Sequence, residues 1–174
     1  MSNVETGTIA CACYEDGNLF LGVAKVTLPD IERETFNIKG LALMGSFDLP
    51  ATGQVKPMKM TIEFTDANEA QYKLDEERSH LLDLRVLKAG YDNTSAELTR
   101  TNHRYLIQCY PIKSSGGTVS PVESQGVSSE HSVTMIKEFR DNKLYRHIDV
   151  IKMIYVDSSG VDRFAEIRKH LGME

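Results

Sequence analysis

Cys11 and Cys13 stand at i and i+2, so on a strand both thiols point to one face and offer two ligands to a zinc ion. A structural zinc takes four ligands, and the remaining cysteine, Cys109, stands alone. The pair is therefore read as free thiols that pack as small apolar side chains. The histidines, His80, His103, His131, His147 and His170, include no pair at the His-x-x-x-His spacing of a helical metal site. Nothing local joins Cys109 to one of them as nucleophile and base. Gly116-Gly117 lacks the lysine and the following helix of a phosphate loop, and Ser128-Ser129 lacks a nucleophile elbow. Asp75, Glu76 and Glu77 are adjacent carboxylates, but on a charged helix with no apolar pocket they read as solvated surface. No catalytic residue, metal ligand or cofactor site is assigned, and the chain is not expected to be an enzyme.

The elements needed to position any site are ordinary for one globular domain over residues 1–174. A chain of that length buries roughly 70% of its unfolded surface. Apolar residues make up 41% and charged residues 26%. The net charge of -5, with no basic run, argues against a protein that grips phosphates. No apolar stretch is long enough to span a bilayer, and the polar start from Met1 to Gly7 lacks a signal-peptide layout. A cytoplasmic folding site is expected, which suits three cysteines without a disulfide framework.

Along the chain, period-two alternation predicts a strand over 8–14, with Ile9, Cys11 and Cys13 on one face. A turn at 15–18 and a second strand over 19–26 suggest a first hairpin. A strand is predicted over 36–43, then a loop through Gly45, Pro50 and Gly53. The cleanest signal is 55–64, where Met58, Met60, Ile62 and Phe64 alternate with Lys59, Thr61 and Glu63. Asp66 and Glu69 resemble a capping box opening a helix over 66–79. Strands follow over 80–88 and 105–112, with a polar loop at 90–101 between them. The serine- and glycine-rich segment 114–130 is a long loop. A hairpin follows, 131–140 and 143–156, across Asp141-Asn142. Asp162 to Leu171 forms a final helix, with Phe164, Ile167 and Leu171 as its apolar stripe and Glu166 paired to Lys169 or His170. The fold class is mainly β: a twisted β-sandwich or partial barrel with a flanking helix and a short C-terminal helix.

Three segments carry a resemblance. They are Gly22-Val23-Ala24-Lys25-Val26-Thr27-Leu28-Pro29; Lys39-Gly40 through Met44-Gly45-Ser46; and Ile148-Asp149, Lys152-Met153-Ile154 and Gly160-Val161-Asp162-Arg163. In order, spacing and position at the two ends of the chain, they resemble the major tail tube protein of contractile-tailed phages and R-type bacteriocins. Residues 54–130 carry compatible structure but little motif.

The resemblance implies the phage tail-tube fold, with inner sheets joining into one barrel in a hexameric ring and rings stacking into a tube. It implies a virion tail or phage tail-like particle assembled in the bacterial host cytoplasm. The implied partners are copies of itself, a sheath protein outside, a tape-measure protein or DNA in the lumen, and baseplate and tube-terminator proteins at the ends. Within that frame the hairpin 131–156 and the strand 55–64 are expected in the inner sheet. Lys59, Thr61, Glu63, Thr134 and Glu138 are the lumen candidates, and the acidic balance is expected to give the lumen a negative potential. Lys39, Gly40, Met44, Gly45, Ser46, Gly116, Gly117 and Gly126 are the candidates for contacts between subunits or rings. Two alternatives stand beside this: a type VI secretion-type tube and a small-ligand-binding β-barrel.

Overall fold

The structure is a computed structural model that describes residues 3–15, 17–19, 23–40 and 44–173. Asp16, the Phe20–Gly22 part of the second expected strand and Leu41–Leu43 lie outside the described residues. The chain runs β1 (Asn3–Glu15), β2 (Asn18–Leu19), β3 (Val23–Thr27), β4 (Arg33–Ile38), β5 (Phe47–Val55) and β6 (Met58–Phe64). It continues through α1 (Glu69–Leu74), β7 (His80–Asp92), β8 (Glu97–Ser115), β9 (Val127–Arg140), β10 (Lys143–Asp149), β11 (Ile154–Val156) and α2 (Ala165–His170).

Strand β9 is the spine. Val127, Ser129, His131 and Val133 alternate inward in its first half. That half pairs β6 on one edge, from Val127↔Phe64 to Val133↔Met58, and β8 on the other. After Val133 the register slips: Cys109 of β8 faces Val133, whereas Gln108 faces Met135. Thr134 is the extra residue of this bulge, and such an insertion bends a strand and raises its twist. Beyond it, β10 takes the edge of β9 that β6 has left. The sheet forks there. One branch runs to β6 and β3, the other to β10 and β11, and the common side continues through β8, β7, β1 and β2. Among the described strands the sheet stays open rather than closing into a barrel.

The concave face holds the core. Met58, Met60, Ile62 and Phe64 of β6 are all buried, as the alternation predicts, and pack with Leu82, Ile107, Cys109, Ile136 and Ile148. Helix α1 lies on this face through Leu74. It is shorter than 66–79, and its N-cap is Asn68, whose side chain accepts the Gln71 N–H at 3.0 Å. Asp66 instead accepts the Gln125 N–H at 2.8 Å, so no capping box forms.

Several expectations are corrected. β3 does not complete a hairpin with β1; it pairs β6, and the hairpin partner of β1 is the two-residue β2. Residues 90–101 are not a loop, because β7 and β8 pair without interruption from His80↔Cys109 to Asp92↔Glu97. Their polarity reflects exposure on both faces of an arm that leaves the core. Val127–Glu130 of the serine-rich segment also pairs, leaving only 116–126 as loop. Cys11 is exposed, whereas Cys13 and Cys109 are buried and free; burial pushes both thiols up to about 12.

At the C-terminus the expected stripe is buried only at its start. Phe164 is 8% exposed, Ile167 37% and Leu171 60%. The helix is only six residues long and is anchored by Arg168, which binds Asp162 at 2.7 Å and the Met153 carbonyl at 2.6 Å. Glu166 does not make the expected anchor. Phe164 lies against Gly53 of β5, where an added Cβ would come within 2.0 Å of the ring and φ is +70°. Gly53→Val is expected to cost about 2–3 kcal/mol through overpacking and backbone strain, and Phe164→Asp to destabilise similarly by burying a charge. Gly116→Ala, with nothing within 4 Å, should leave thermal unfolding unchanged.

Candidate subunit interface

Register assigns each sequence-picked residue to a face. Lys59, Thr61 and Glu63 stand opposite Ser132, Glu130 and Ser128, so all six share the face turned away from α1. Thr134, at the bulge, donates its hydroxyl to the Gln108 carbonyl at 3.3 Å. Glu138 is different. The bulge reverses the alternation, so Glu138 stands beside Tyr105 on the core-side face and binds Arg146 at 3.5 Å. It does not share a surface with Lys59, Thr61 and Glu63. A bulge moves every later side chain to the other face, and period-two counting from His131 does not reveal it.

The face turned away from α1 is a lattice of paired charges rather than an acidic surface. Lys25 binds Glu63 at 3.1 Å, and Lys59 binds Glu130 at 2.9 Å. The bond from Lys59 holds the Glu130 carboxyl below its ordinary value, with Lys113 adding to the effect. Arg85 and Arg104 stand directly opposite each other on β7 and β8, a like-charge pairing that destabilises a sheet by itself. Asp83 removes the conflict by accepting from both, at 2.8 Å from each. Burial pushes the Asp83 carboxyl up, but the bonds from Arg104 and Arg85 outweigh it and hold it below the usual range. Arg85 also lies over the Tyr14 ring at 4.7 Å. On this face the carboxylates of Glu63, Glu130 and Asp83 each bind a neighbouring cation.

The loop candidates fall into two groups. Lys39, Gly40, Met44, Gly45 and Ser46 cap the β4–β5 hairpin, and all are exposed. Below them, Phe36 faces Leu49 and Ile38 faces Phe47, so the four share one side of the hairpin. Phe36 is 60%, Phe47 50% and Leu49 48% exposed. A two-stranded ribbon with an uncovered apolar side is marginal in water. Gly117 and Gly126 do something else. They form the neck of the 116–126 loop: Gly117 (φ +65°) lies against the Gln125 carbonyl, and the Gly126 N–H donates to Thr65 O at 3.0 Å. Gln125 Nε2 donates to the Gly116 carbonyl at 2.5 Å, and Ser120 donates to Glu123 at 2.6 Å. The apex residues Val119 and Val122 are left exposed.

Among the described strands the sheet leaves an edge open at the short β11, which pairs only β10, and at two further margins. From Asn3 to Cys13, β1 pairs β7 on one edge and no other described strand on the other. At the opposite end of the sheet, β3 pairs only β6. Such edges expose unpaired N–H and C=O groups.

Sequence reasoning missed two clusters. Asp75 is not solvated surface; its carboxylate accepts from Ser114 and Ser129, each at 2.7 Å. His80 and His131, far apart in sequence, meet with ring centroids 6.5 Å apart. No local pattern signals either one, since each joins residues through long-range strand pairing. Among the described residues no group of His, Cys, Asp and Glu is arranged to hold a metal ion, and no helix is long and apolar enough to cross a membrane.

The family model for the phage tail tube protein FII matches residues 8–172. The chain belongs to that family. No curated protein matches it in sequence. Among solved structures, the chain is similar to one from an extracellular contractile injection system, the PVC sheath/tube terminator in its extended state. That match has 9% identity and a TM-score of 0.50, covering 75% of this chain and 94% of the other. A chain of the anti-feeding prophage baseplate matches at 10% identity and TM-score 0.46, covering 76% and 93%. One from the PVC sheath-tube complex matches at 11% and 0.44, covering 75% and 86%. The first of these carries the shared fold, and the family match makes the chain a tail tube protein.

The arginine pairing gives a direct test. Asp83→Ala should lower stability by about 1 kcal/mol, because it removes the counter-charge between two facing arginines. Asp83→Ala combined with Arg85→Ala should recover part of that loss in urea unfolding. Additive losses would show that the pairing carries no energy.

Proposed function

We propose that this tail tube protein is the single-domain subunit of the inner tube of a contractile tail or phage tail-like particle, forming stacked hexameric rings. The observation that carries the reading is the pair of open margins. β1 and β3 lie at opposite ends of one sheet, so joining the β1 edge of one copy to the β3 margin of the next is a head-to-tail contact. Contacts of that kind close into rings when the rotation permits. Closure supplies partners to the unpaired backbone and removes the aggregation hazard of free edges.

In this arrangement the face bearing Lys59, Thr61 and Glu63 lines the channel, with Thr134 at its border and Glu138 excluded. Mutual neutralisation of its charges suits the passage of a polymer, DNA or a tape-measure protein, without adhesion. The β4–β5 hairpin, with Lys39, Gly40, Met44, Gly45 and Ser46 at its end, covers its apolar side against the neighbouring ring. The 116–126 loop presents Val119 and Val122 from a neck built on Gly116, Gly117 and Gly126. The sheath lies outside, with terminator and baseplate proteins at the ends. Assembly takes place in the host cytoplasm. The subunit does no chemistry; it is a rigid conduit driven through an envelope by sheath contraction. The type VI reading shares this geometry, and the match to a phage tail tube family favours the phage-like one. A ligand-binding barrel would need an enclosed apolar pocket, and the described clefts are open.

Negative-stain imaging of concentrated protein tests the reading, with rings or tubes expected. Deleting Gly116 to Gln125, or changing Phe36 and Phe47 to Ser, should abolish tubes while leaving the β circular dichroism of the subunit intact. Normal tubes from both variants would remove the stacking role of these segments. A wild-type chain that stays monomeric at every concentration would overturn the proposal.

A further inference from the structure

Two buried histidines close the C-terminal end of α1. A helix ends with carbonyls that have no intrahelical partner. Here an imidazole serves one of them: His131 Nε2 donates to Leu74 O at 3.3 Å, and in the turn after the helix His80 Nε2 donates to Glu76 O at 3.0 Å, beside the Arg78 N–H. Those bonds place a ring proton on each Nε2. The second nitrogens differ. His80 Nδ1 meets the Glu15 carboxylate, which also binds Arg78 at 3.0 Å. His131 Nδ1 is buried with no hydrogen-bond partner. Both rings are fully buried and meet edge-on at 86°.

The groups facing His131 come from every element around it. From α1 and the turn after it come the Leu74 carbonyl and Asp75, whose two carboxylate oxygens are taken by Ser129 and Ser114. From β7 comes His80, backed by Glu15 of β1 and by Arg78. Opposite His131 on β8 and β6 stand Pro111 and Met60, neither titratable. Glu130 beside it points to the other face and is held by Lys59.

We propose that this joint is an acid-sensitive latch, in which a proton taken up at His131 Nδ1 releases α1 and the turn after it from the sheet. The protonated ring would be a buried cation, edge-on to a second histidine. Burial already holds His131 below the ordinary imidazole value of 6.5 and His80 acts in the same direction, while hydrogen bonding to the Leu74 and Ser129 backbone and the charge of Asp75 act against it. The unfolded chain therefore takes the proton more readily than the folded one. The stability is whole above the ordinary value and falls as pH drops from there toward the lower value of the site. Release is local because α1 has six residues and buries only Gln71 and Leu74, so lifting it is a small opening that hydrates the charged ring. The latch belongs to the single subunit and does not depend on tube formation.

Hydrogen exchange of the full chain at pH 7.5 and 5.0, corrected for intrinsic exchange, tests the latch. Residues 69–78 should lose protection by roughly tenfold per pH unit below about 6.5, while the β8–β9 pairing keeps its protection. His131→Gln keeps a donor for Leu74 O but cannot titrate, and its α1 protection should be flat with pH. His147→Gln, a control at another partly buried histidine, should keep the wild-type slope. Equal α1 protection at both pH values, or a wild-type slope in His131→Gln, overturns the proposal. Should His131→Gln fail to fold, the wild-type imidazole titration by NMR decides. A depressed His131 value that coincides with shifts of the α1 amides supports the latch, and an ordinary or raised value overturns it.

Discussion

A β-strand has two edges, and every backbone N–H and C=O along them needs a partner; β9 meets that demand with three strands instead of two. β8 takes one edge for nearly its whole length, and β6 and β10 divide the other. The division is made by Thr134. One inserted residue turns the second half of β9 away from β6, and the Val150 N–H, donating to the Thr134 carbonyl at 3.0 Å, closes the gap between the branches. The core lies in the bend so created, with β6 contributing Met58, Met60, Ile62 and Phe64 from one branch and β10 contributing Ile148 from the other.

The same demand is left unmet at the margins. β1 and β3 end the sheet with free edges, and the β4–β5 hairpin carries an apolar side that its own chain does not cover. Monomeric proteins blunt such features with charge, proline or a covering loop. In the ring proposed for this tail tube protein, an identical neighbour supplies what the single chain lacks. The charge lattice fits this economy. Lys25 with Glu63, Lys59 with Glu130, and Asp83 between two arginines leave a broad sheet surface on which each of these carboxylates is paired to a cation.

Much of the fold was legible because strands with one wet face print their period on the sequence. Residues 58–64 and 82–86 show it, and the expected core positions of β6 are the observed ones. The legible part ended where exposure is two-sided. Residues 90–101 are mostly exposed and polar, and that composition reads as loop although the strands pair up to Asp92↔Glu97 around a four-residue turn. Helix α2 failed in the opposite sense: its apolar stripe is real, but only Phe164 finds a place beneath it, against the one residue, Gly53, that leaves room for the ring. Of the residues named for contacts between copies, Lys39, Gly40, Met44, Gly45 and Ser46 lie at the end of the β4–β5 hairpin, and the glycines at 116, 117 and 126 shape the neck of a loop.

By itself the sequence determined the mainly β class, the buried side of β6, and the kinship with tail tube proteins carried by short segments at its two ends. These are local properties, set by alternation and by residue type. Only the tertiary structure decided which strands are neighbours, that Glu138 and Glu63 face opposite ways, that two distant histidines share one buried joint, and which edges remain open. Pairing partners are chosen across long loops, and a single extra residue in a strand inverts everything after it. Neither effect leaves a mark on composition or periodicity.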